Sequence, residues 1–465
     1  MQYVSTRGQA PALDFEQVTL AGLAADGGLY VPEAWPSLSE DEIGALAGLP
    51  YTEVALRVMR PFVGDSIPEE DLRHLVETAY DGFHHAAVTP LTQLTHNEWL
   101  LELFHGPTLA FKDIALQFLG HLFSYFLERA GRTATIIGAT SGDTGSAAID
   151  ACAGREGVQI FMLHPKDRVS PVQRRQMTTV MAPNVFNIAV EGDFDACQAM
   201  VKAAFADADF RARHRLTAVN SINWVRILAQ AVYYFYAAVA LGGPARRIAF
   251  AVPTGNFGDA FAGYVAHRMG LPIAKLIIAT NANDTLARAL NSGKLSAGTV
   301  HATTSPAMDI QVPSNFERLL FEAWGRDGAV LADQMTALKD TGAIEIGENA
   351  LTAMKDLLVA GRADDDETAR AIRSVHQESG ILIDPHTAVG ISVARGCTAA
   401  GDFDATVCLA TAHAAKFRDV VERATATRPS LPAFLSGLFD REERLEVLPA
   451  DLQMIKDHIG RNSIL

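Results

Sequence analysis

Apolar residues recur at three- and four-residue spacing from Ile114 onward, at Ile114, Phe118, Leu119, Leu122, Phe123 and Phe126, and predict a helix with one greasy face. Elsewhere short β-rich runs alternate with helical text. Thr133 to Ala139, Val158 to Leu163, Val185 to Val190, Arg247 to Val252, Leu276 to Ala279 and Thr406 to Ala410 predict strands. Helices are expected from Ser146, over Asp193 to Phe205 and over Ala260 to Arg268. Ile381 to Ile383 is one more apolar run, with Asp384 near the end of the strand it suggests. Strands separated by helices imply parallel pairing in an α/β sheet covered on both faces. In open sheets of that kind ligands bind beyond the carboxyl ends of the strands, so the chemistry is expected there.

Phe15 to Ala25 predicts a helix that stops at Asp26-Gly27-Gly28, and Ser39-Glu40-Asp41-Glu42 another helix start. Residues 1–88 are expected to form a small separate module, a lid or an extension packed on the main body. The core would span 89–425, with a smaller lobe over about 130–240 and a larger lobe from the remainder. Residues 426–465 resemble a terminal helical cover. The longest greasy run, Ile227 to Leu241, is interrupted by Gln230 and carries three tyrosines. It falls short of the ~20 residues of a membrane span and predicts a buried helix.

Charge narrows the partners. At 465 residues with a formal net charge of −15, the chain is a poor match for nucleic acid or an anionic membrane. A small anionic substrate is compatible, because screening over about 8 Å lets a local cluster of cations outweigh distant acids. Cys152, Cys197, Cys397 and Cys408 lack metal-ligand spacing and predict reduced core residues; with no apolar signal region near Met1, a cytoplasmic protein is expected.

Lys112 is the first candidate for chemistry. It falls where the helix after Thr108 presents its positive end, and Leu109, Ala110 and Phe111 surround it with apolar bulk. Both conditions disfavour an ammonium and produce a nucleophilic amine suited to Schiff-base chemistry. The competing reading is a lysine whose stem lies on an apolar surface with its head in water.

Three strand ends supply partners for it. The turn Gly255-Asn256-Phe257-Gly258-Asp259 precedes a helix and can cradle a phosphate, or serve as an unoccupied turn. Thr140-Ser141-Gly142-Asp143-Thr144-Gly145 has the same logic, with hydroxyls that suit an amino acid carboxylate. Thr411 would offer a neutral hydroxyl to a ring nitrogen, or bond its own backbone. Asn220, Ser221, Asn223 and Arg226 gather donors at a helix start, fit for a phosphate or for capping; Asp384 could lie beside a ring or cap the following helix. An imine-forming lysine, a phosphate cradle, a carboxylate nest and a hydroxyl for a ring nitrogen together point to pyridoxal phosphate with an amino acid substrate.

The segment His105 to Asp113, the loop Thr140 to Gly145, the turn Gly255 to Asp259 and Thr411-Ala412-His413 resemble the bacterial and fungal branch of the threonine synthase family. Gly192 to Cys197 and Asn220 to Asn223 are similar to it as well, while Thr254 and Ala414 depart from the expected Ser and Pro. The resemblance implies two open, twisted, mostly parallel α/β lobes of the tryptophan synthase β-like fold, with a small N-terminal module. It implies that Lys112 carries pyridoxal 5'-phosphate, that Phe111 and Gly255 to Asp259 help to hold it, and that Thr411 meets its ring nitrogen. It implies that Thr140, Ser141, Gly142, Asp143 and Thr144 hold the substrate carboxylate, and that the substrate is O-phospho-L-homoserine, converted with water to L-threonine and phosphate. Asn220, Ser221, Asn223, Arg226 and Lys416 become candidates for the leaving phosphate. The resemblance leans toward a monomer, and no residue is assigned to a metal. The rivals are a phospho-lyase that stops at 2-ketobutyrate and a non-catalytic anion-binding protein.

Overall fold

Two parallel sheets carry the alternating pattern. The computed structural model describes residues 1–397 and 403–463. The larger sheet has the strand order Leu358–Arg362, Ile273–Thr280, Ile248–Pro253, Ala405–Ala410, Glu98–Glu102, Leu91–Gln93, and only the last pairing is antiparallel. The smaller sheet runs Glu446–Pro449, Val185–Glu191, Val158–Pro165, Ala134–Ala139, Leu216–Thr217, all parallel. Continuous burial along Val158–Pro165, Ile248–Pro253 and Ala405–Ala410 is what covering a parallel sheet on both faces requires. The α/β expectation holds.

Several boundaries move, for local reasons. The helix expected from Ser146 begins at Asp143, because Gly142, at φ 146°, is the last residue with non-helical angles. The Ile114 helix begins at Lys112 and runs to Arg129. Ile381 to Ile383 is not a strand: Gly380 in the left-handed region ends one helix, Pro385 begins the next, and the run merely joins them. The segment after residue 425 contributes more than helices, since Glu446–Pro449 pairs with Val185–Glu191 and adds an edge strand to the smaller sheet. Glu98–Glu102 and Leu358–Arg362 escape the pattern: one is bounded by acids, and the other contains Gly361, where Val393 packs too closely for a side chain.

Residues near the N-terminus form a two-stranded sheet, Tyr3–Ser5 with Tyr30–Pro32, and the helices Phe15–Ala21, Glu40–Gly44, Tyr51–Val63 and Glu69–Asp81. Ser39 and Glu42 close a reciprocal cap at the second helix. This module packs on the buried helix Trp224–Ala240, with Tyr3, Trp35 and Phe62 around the Trp224 ring at 5.8, 6.1 and 5.8 Å between centroids. Among the described residues no helix is long and apolar enough to cross a membrane.

The helices Lys112–Arg129 and Asp143–Cys152, which follow two of the functional loops, cross at Gly120. A Cβ there would stand 2.5 Å from the Ala151 carbonyl oxygen. Gly120→Ala is therefore expected to separate the two helices and cost about 1–3 kcal/mol, read as a lower denaturant midpoint; an unchanged midpoint would contradict this contact.

Candidate active site

Four loops meet because each starts at the carboxyl end of a parallel strand. Ala134–Ala139 leads into Thr140, Ile248–Pro253 into Thr254, Ala405–Ala410 into Thr411, and Glu98–Glu102 into the segment ending at Lys112. The lysine segment and the Thr411 segment are zipped together: the Phe111 N–H donates to Thr411 O at 2.8 Å and the His413 N–H to Leu109 O at 3.1 Å. Gly106 exists to let Asp113 fold back beneath the loop, where its carboxylate accepts from the Thr108 N–H at 2.9 Å and hydroxyl at 2.6 Å. Burial pushes the Asp113 carboxyl up to about 7.

Lys112 is the first residue of its helix and is buried, with its amine 4.6 Å from the Phe111 ring centre. Its nearest charge is Asp143, 3.5 Å away on the facing helix. Asp143 is shared. Lys416 Nζ lies 2.8 Å from its other oxygen, and Gln173 donates to it at 2.7 Å. Burial alone would raise the Asp143 carboxyl, but Lys416 and Lys112 overcome it and hold the group well below the usual carboxylate range. Burial lowers the Lys112 amine below its ordinary value; Asp143 opposes this, while Lys416 and Arg226 deepen it.

Arg226 adds another buried charge to this floor. Its Nε and Nη1 hydrogen-bond nothing among the described residues, and burial draws the guanidinium down to about 10. A buried cation without a partner is costly.

The turn Gly255 to Asp259 is held by its surroundings. Asn256 O receives the Asn315 backbone N–H and side-chain amide, both at 3.0 Å, and Phe257 takes the left-handed conformation at φ 64°. A Cβ on Gly255 would sit 2.8 Å from Ala307 O. Asp259 folds back on Thr254 and the Ala260 N–H, and burial pushes it up to about 6. In the other nest, Thr140 Oγ1 receives the N–H groups of Gly142 and Gly145, at 3.0 and 2.8 Å. The N–H groups of Ser141, Asp143 and Thr144 meet no acceptor among the described residues.

Other expected residues have partners of their own. Asn223 caps its helix through Val225 and donates to Thr19 O at 2.9 Å, so its amide ties the N-terminal module. Asn220 accepts from the Ile222 N–H, and Ser221 O from Asn315. Asp384 caps the helix Pro385–Cys397 through His386 and Thr387. Gln173, Gln176, Asn315 and Arg318 were not foreseen. Their only trace in the sequence is polarity at positions that turn out buried.

Residues 83–340 match the family model described as pyridoxal-phosphate dependent enzyme, residues 2–80 that of the threonine synthase N terminus, and residues 387–459 that of the threonine synthase C-terminal region. A threonine synthase of Pseudomonas aeruginosa is 53% identical across 99% of this chain and 98% of its own. The chain belongs to the threonine synthase family. A crystal structure of PLP-bound threonine synthase from Brucella melitensis superposes with a TM-score of 0.98 at 52% identity, covering 100% of both chains; the yeast enzyme gives 0.95 at 40% identity, covering 99% of this chain and 98% of its own. As a member of this family the protein is a pyridoxal-phosphate-dependent lyase with the tryptophan synthase β-like fold. The residues present fit that cofactor, because the site joins a buried amine, a glycine turn crowded against Ala307 and the Thr411 hydroxyl.

Because Lys416 pushes the Lys112 amine down, Lys416→Met is expected to raise the pH at which that amine becomes reactive, and Asp143→Asn to lower it. Arg226 and Asp259 stay in place in both variants. Amine-selective labelling of the apoprotein, followed at the Lys112 peptide across pH, measures both; shifts of equal sign would contradict the shared-carboxylate arrangement.

Proposed function

We propose that the protein converts O-phospho-L-homoserine and water to L-threonine and phosphate, with the cofactor carried on Lys112. The observation that carries this reading is the unpartnered, buried guanidinium of Arg226 on the same floor as the depressed amine of Lys112. A site built for an unphosphorylated amino acid would have no use for that extra charge. It also favours the phosphorylated substrate over a plain anion-binding role, which would not require a buried amine.

On this reading the turn Gly255, Asn256, Phe257, Gly258 and Asp259 receives the cofactor phosphate, Phe111 flanks the lysine, and Thr411 offers its hydroxyl to the ring nitrogen. The carboxylate of the substrate takes the open N–H groups of Ser141, Asp143 and Thr144, in a nest that Gly142 shapes and Thr140 braces. Asp143 keeps its own carboxylate turned toward the lysines. Arg226 grips the substrate phosphate, with Asn220 and Ser221 beside it and Asn223 fixing their turn.

Bound pyridoxal phosphate supplies an electron sink for charge that develops next to the amino group. Lys112, once free and neutral, takes the proton from Cα and serves the neighbouring carbons in turn. Its depressed basicity is what that work needs. Arg226 stabilises the phosphate as it leaves Cγ with loss of a proton from Cβ; Cγ then gains a proton, water adds its hydroxyl at Cβ, and a proton returns to Cα. Thr411, being neutral, leaves the ring nitrogen without a forced proton.

The protein is further proposed to be a cytoplasmic monomer with boundaries near residues 88 and 425; its free cysteines, three of them buried, suit a reducing compartment. Incubation with O-phospho-L-homoserine should yield threonine and phosphate, and release of 2-ketobutyrate alone would replace this reading with the phospho-lyase. Borohydride reduction and peptide mapping should place the pyridoxyl group on Lys112, and Lys112→Ala should abolish both the label and turnover. Arg226→Met should raise KM roughly 10- to 100-fold, the range expected for losing a charge-assisted hydrogen bond; an unchanged KM removes Arg226 from the phosphate site.

A further inference from the structure

Arg318 is sealed completely inside the protein, at the junction of the N-terminal module and the core. Burial draws its guanidinium down to about 9, and among the described residues no carboxylate hydrogen-bonds it. Its neighbour Glu317 is engaged instead by Arg7 and Thr6. Arg318 gives its protons to three neutral oxygens on three separate segments: Nε to Tyr30 O at 3.0 Å, Nη2 to Ile222 O at 2.7 Å, and Nη1 to Asn315 Oδ1. The Trp224 ring lies alongside, 5.9 Å from its central carbon.

Asn315, also sealed, carries the path onward. Its side-chain amide donates to Asn256 O at 3.0 Å and to Ser221 O at 3.1 Å, and its backbone N–H donates to Asn256 O again. Ser314 holds the Asn256 side chain at 3.2 Å. One continuous set of hydrogen bonds thus leads from the second strand of the module to the Gly255–Asp259 turn and to the turn before Arg226. Neither turn has ladder bonds of its own, so its shape depends on such external ties.

A buried charge is a poor way to gain stability alone, because an apolar side chain of similar volume fills the space at less cost. What the guanidinium provides and Met would not is a rigid planar fork that fixes three carbonyl groups at set angles. We propose that Arg318 and Asn315 are positioning residues through which the N-terminal module sets the geometry of the cofactor-phosphate turn and of the Asn220–Asn223 turn. The module is a brace rather than a lid. The inference rests on the assignment of the Gly255–Asp259 turn to the cofactor phosphate made above.

The test uses the full-length chain with Arg318→Met, Arg318→Lys, Asn315→Ala and the Met/Ala double variant. Four quantities are read: the PLP dissociation constant by visible absorbance, KM, kcat and the unfolding midpoint of the apoprotein. Arg318→Met is expected to raise the PLP dissociation constant and KM at least about tenfold, moving kcat less, with Lys restoring part of the loss. Asn315→Ala should do the same, and the double variant should add little, because both residues lie on one path. A lowered midpoint with PLP affinity and KM unchanged makes Arg318 merely structural and overturns the proposal; independent, additive effects overturn it too. If Arg318→Met does not fold, Asn315→Ala decides by the same criteria. A Gly255→Val control separates the two ideas. Unchanged PLP affinity there sinks the turn assignment and this inference with it, whereas a weakened control beside an unaffected Arg318→Met sinks the inference alone.

Discussion

Two buried lysines share one buried carboxylate, and the arrangement of the site follows from that. Asp143 without both lysines would be an uncompensated anion in a dry environment. Lys112 without Asp143 would have no electrostatic reason to stay near the smaller lobe. Lys416 completes the balance, because it cancels enough of the Asp143 field for burial to keep the Lys112 amine below its ordinary basicity. Burial does most to make the Lys112 amine reactive, Asp143 works against it, and the second lysine and Arg226 add to what burial does.

That balance requires three parts of the chain to arrive together. Lys112 comes from a helix start after the larger sheet, Asp143 from a helix start on the smaller sheet, and Lys416 from the turn beyond Ala405–Ala410. Lys416 also donates to Thr108 O at 2.7 Å, where Gln176 meets the same oxygen at 3.0 Å. The shared carboxylate therefore spans the seam between the sheets. Any motion that separated them would leave Asp143 with the neutral Gln173 amide in place of two cations, so the electrostatics that tune Lys112 also hold the lobes in register.

The parallel sheets, the helix on which Lys112 sits and the two glycine turns were legible in the sequence, because each depends on local pattern: period, capping and the need for glycine. Residues that act across the fold were not. Gln173 and Gln176 read as ordinary polar positions of a short helix, and only the closeness of the two sheets turns them inward. Arg318 stands in an amphipathic run where a surface arginine is the default, and nothing nearby announces that Tyr30 and Ile222 will close over it. Asp143 was legible as a member of an anion nest, but its own charge was not, since its partners lie 31 residues back and 273 residues ahead. The strand Glu446–Pro449 was hidden for a related reason: an edge strand with three exposed positions has no alternation to display.

The surplus of positive charge on the site floor fits poorly with a chain whose net charge is −15, and that mismatch carries information. Lys112, Lys416 and Arg226 face one firmly ionised carboxylate, Asp143, while burial weakens the acidity of Asp259. Distant surface acids cannot offset this, because water and salt screen them over about 8 Å. The balance has to come from what binds. On the proposed reading one phosphate, at about −1.5 to −2, already offsets the surplus of Lys112, Lys416 and Arg226 over Asp143. A second has to be met by backbone N–H groups at the helix start after the Gly255–Asp259 turn, a turn with no lysine or arginine of its own.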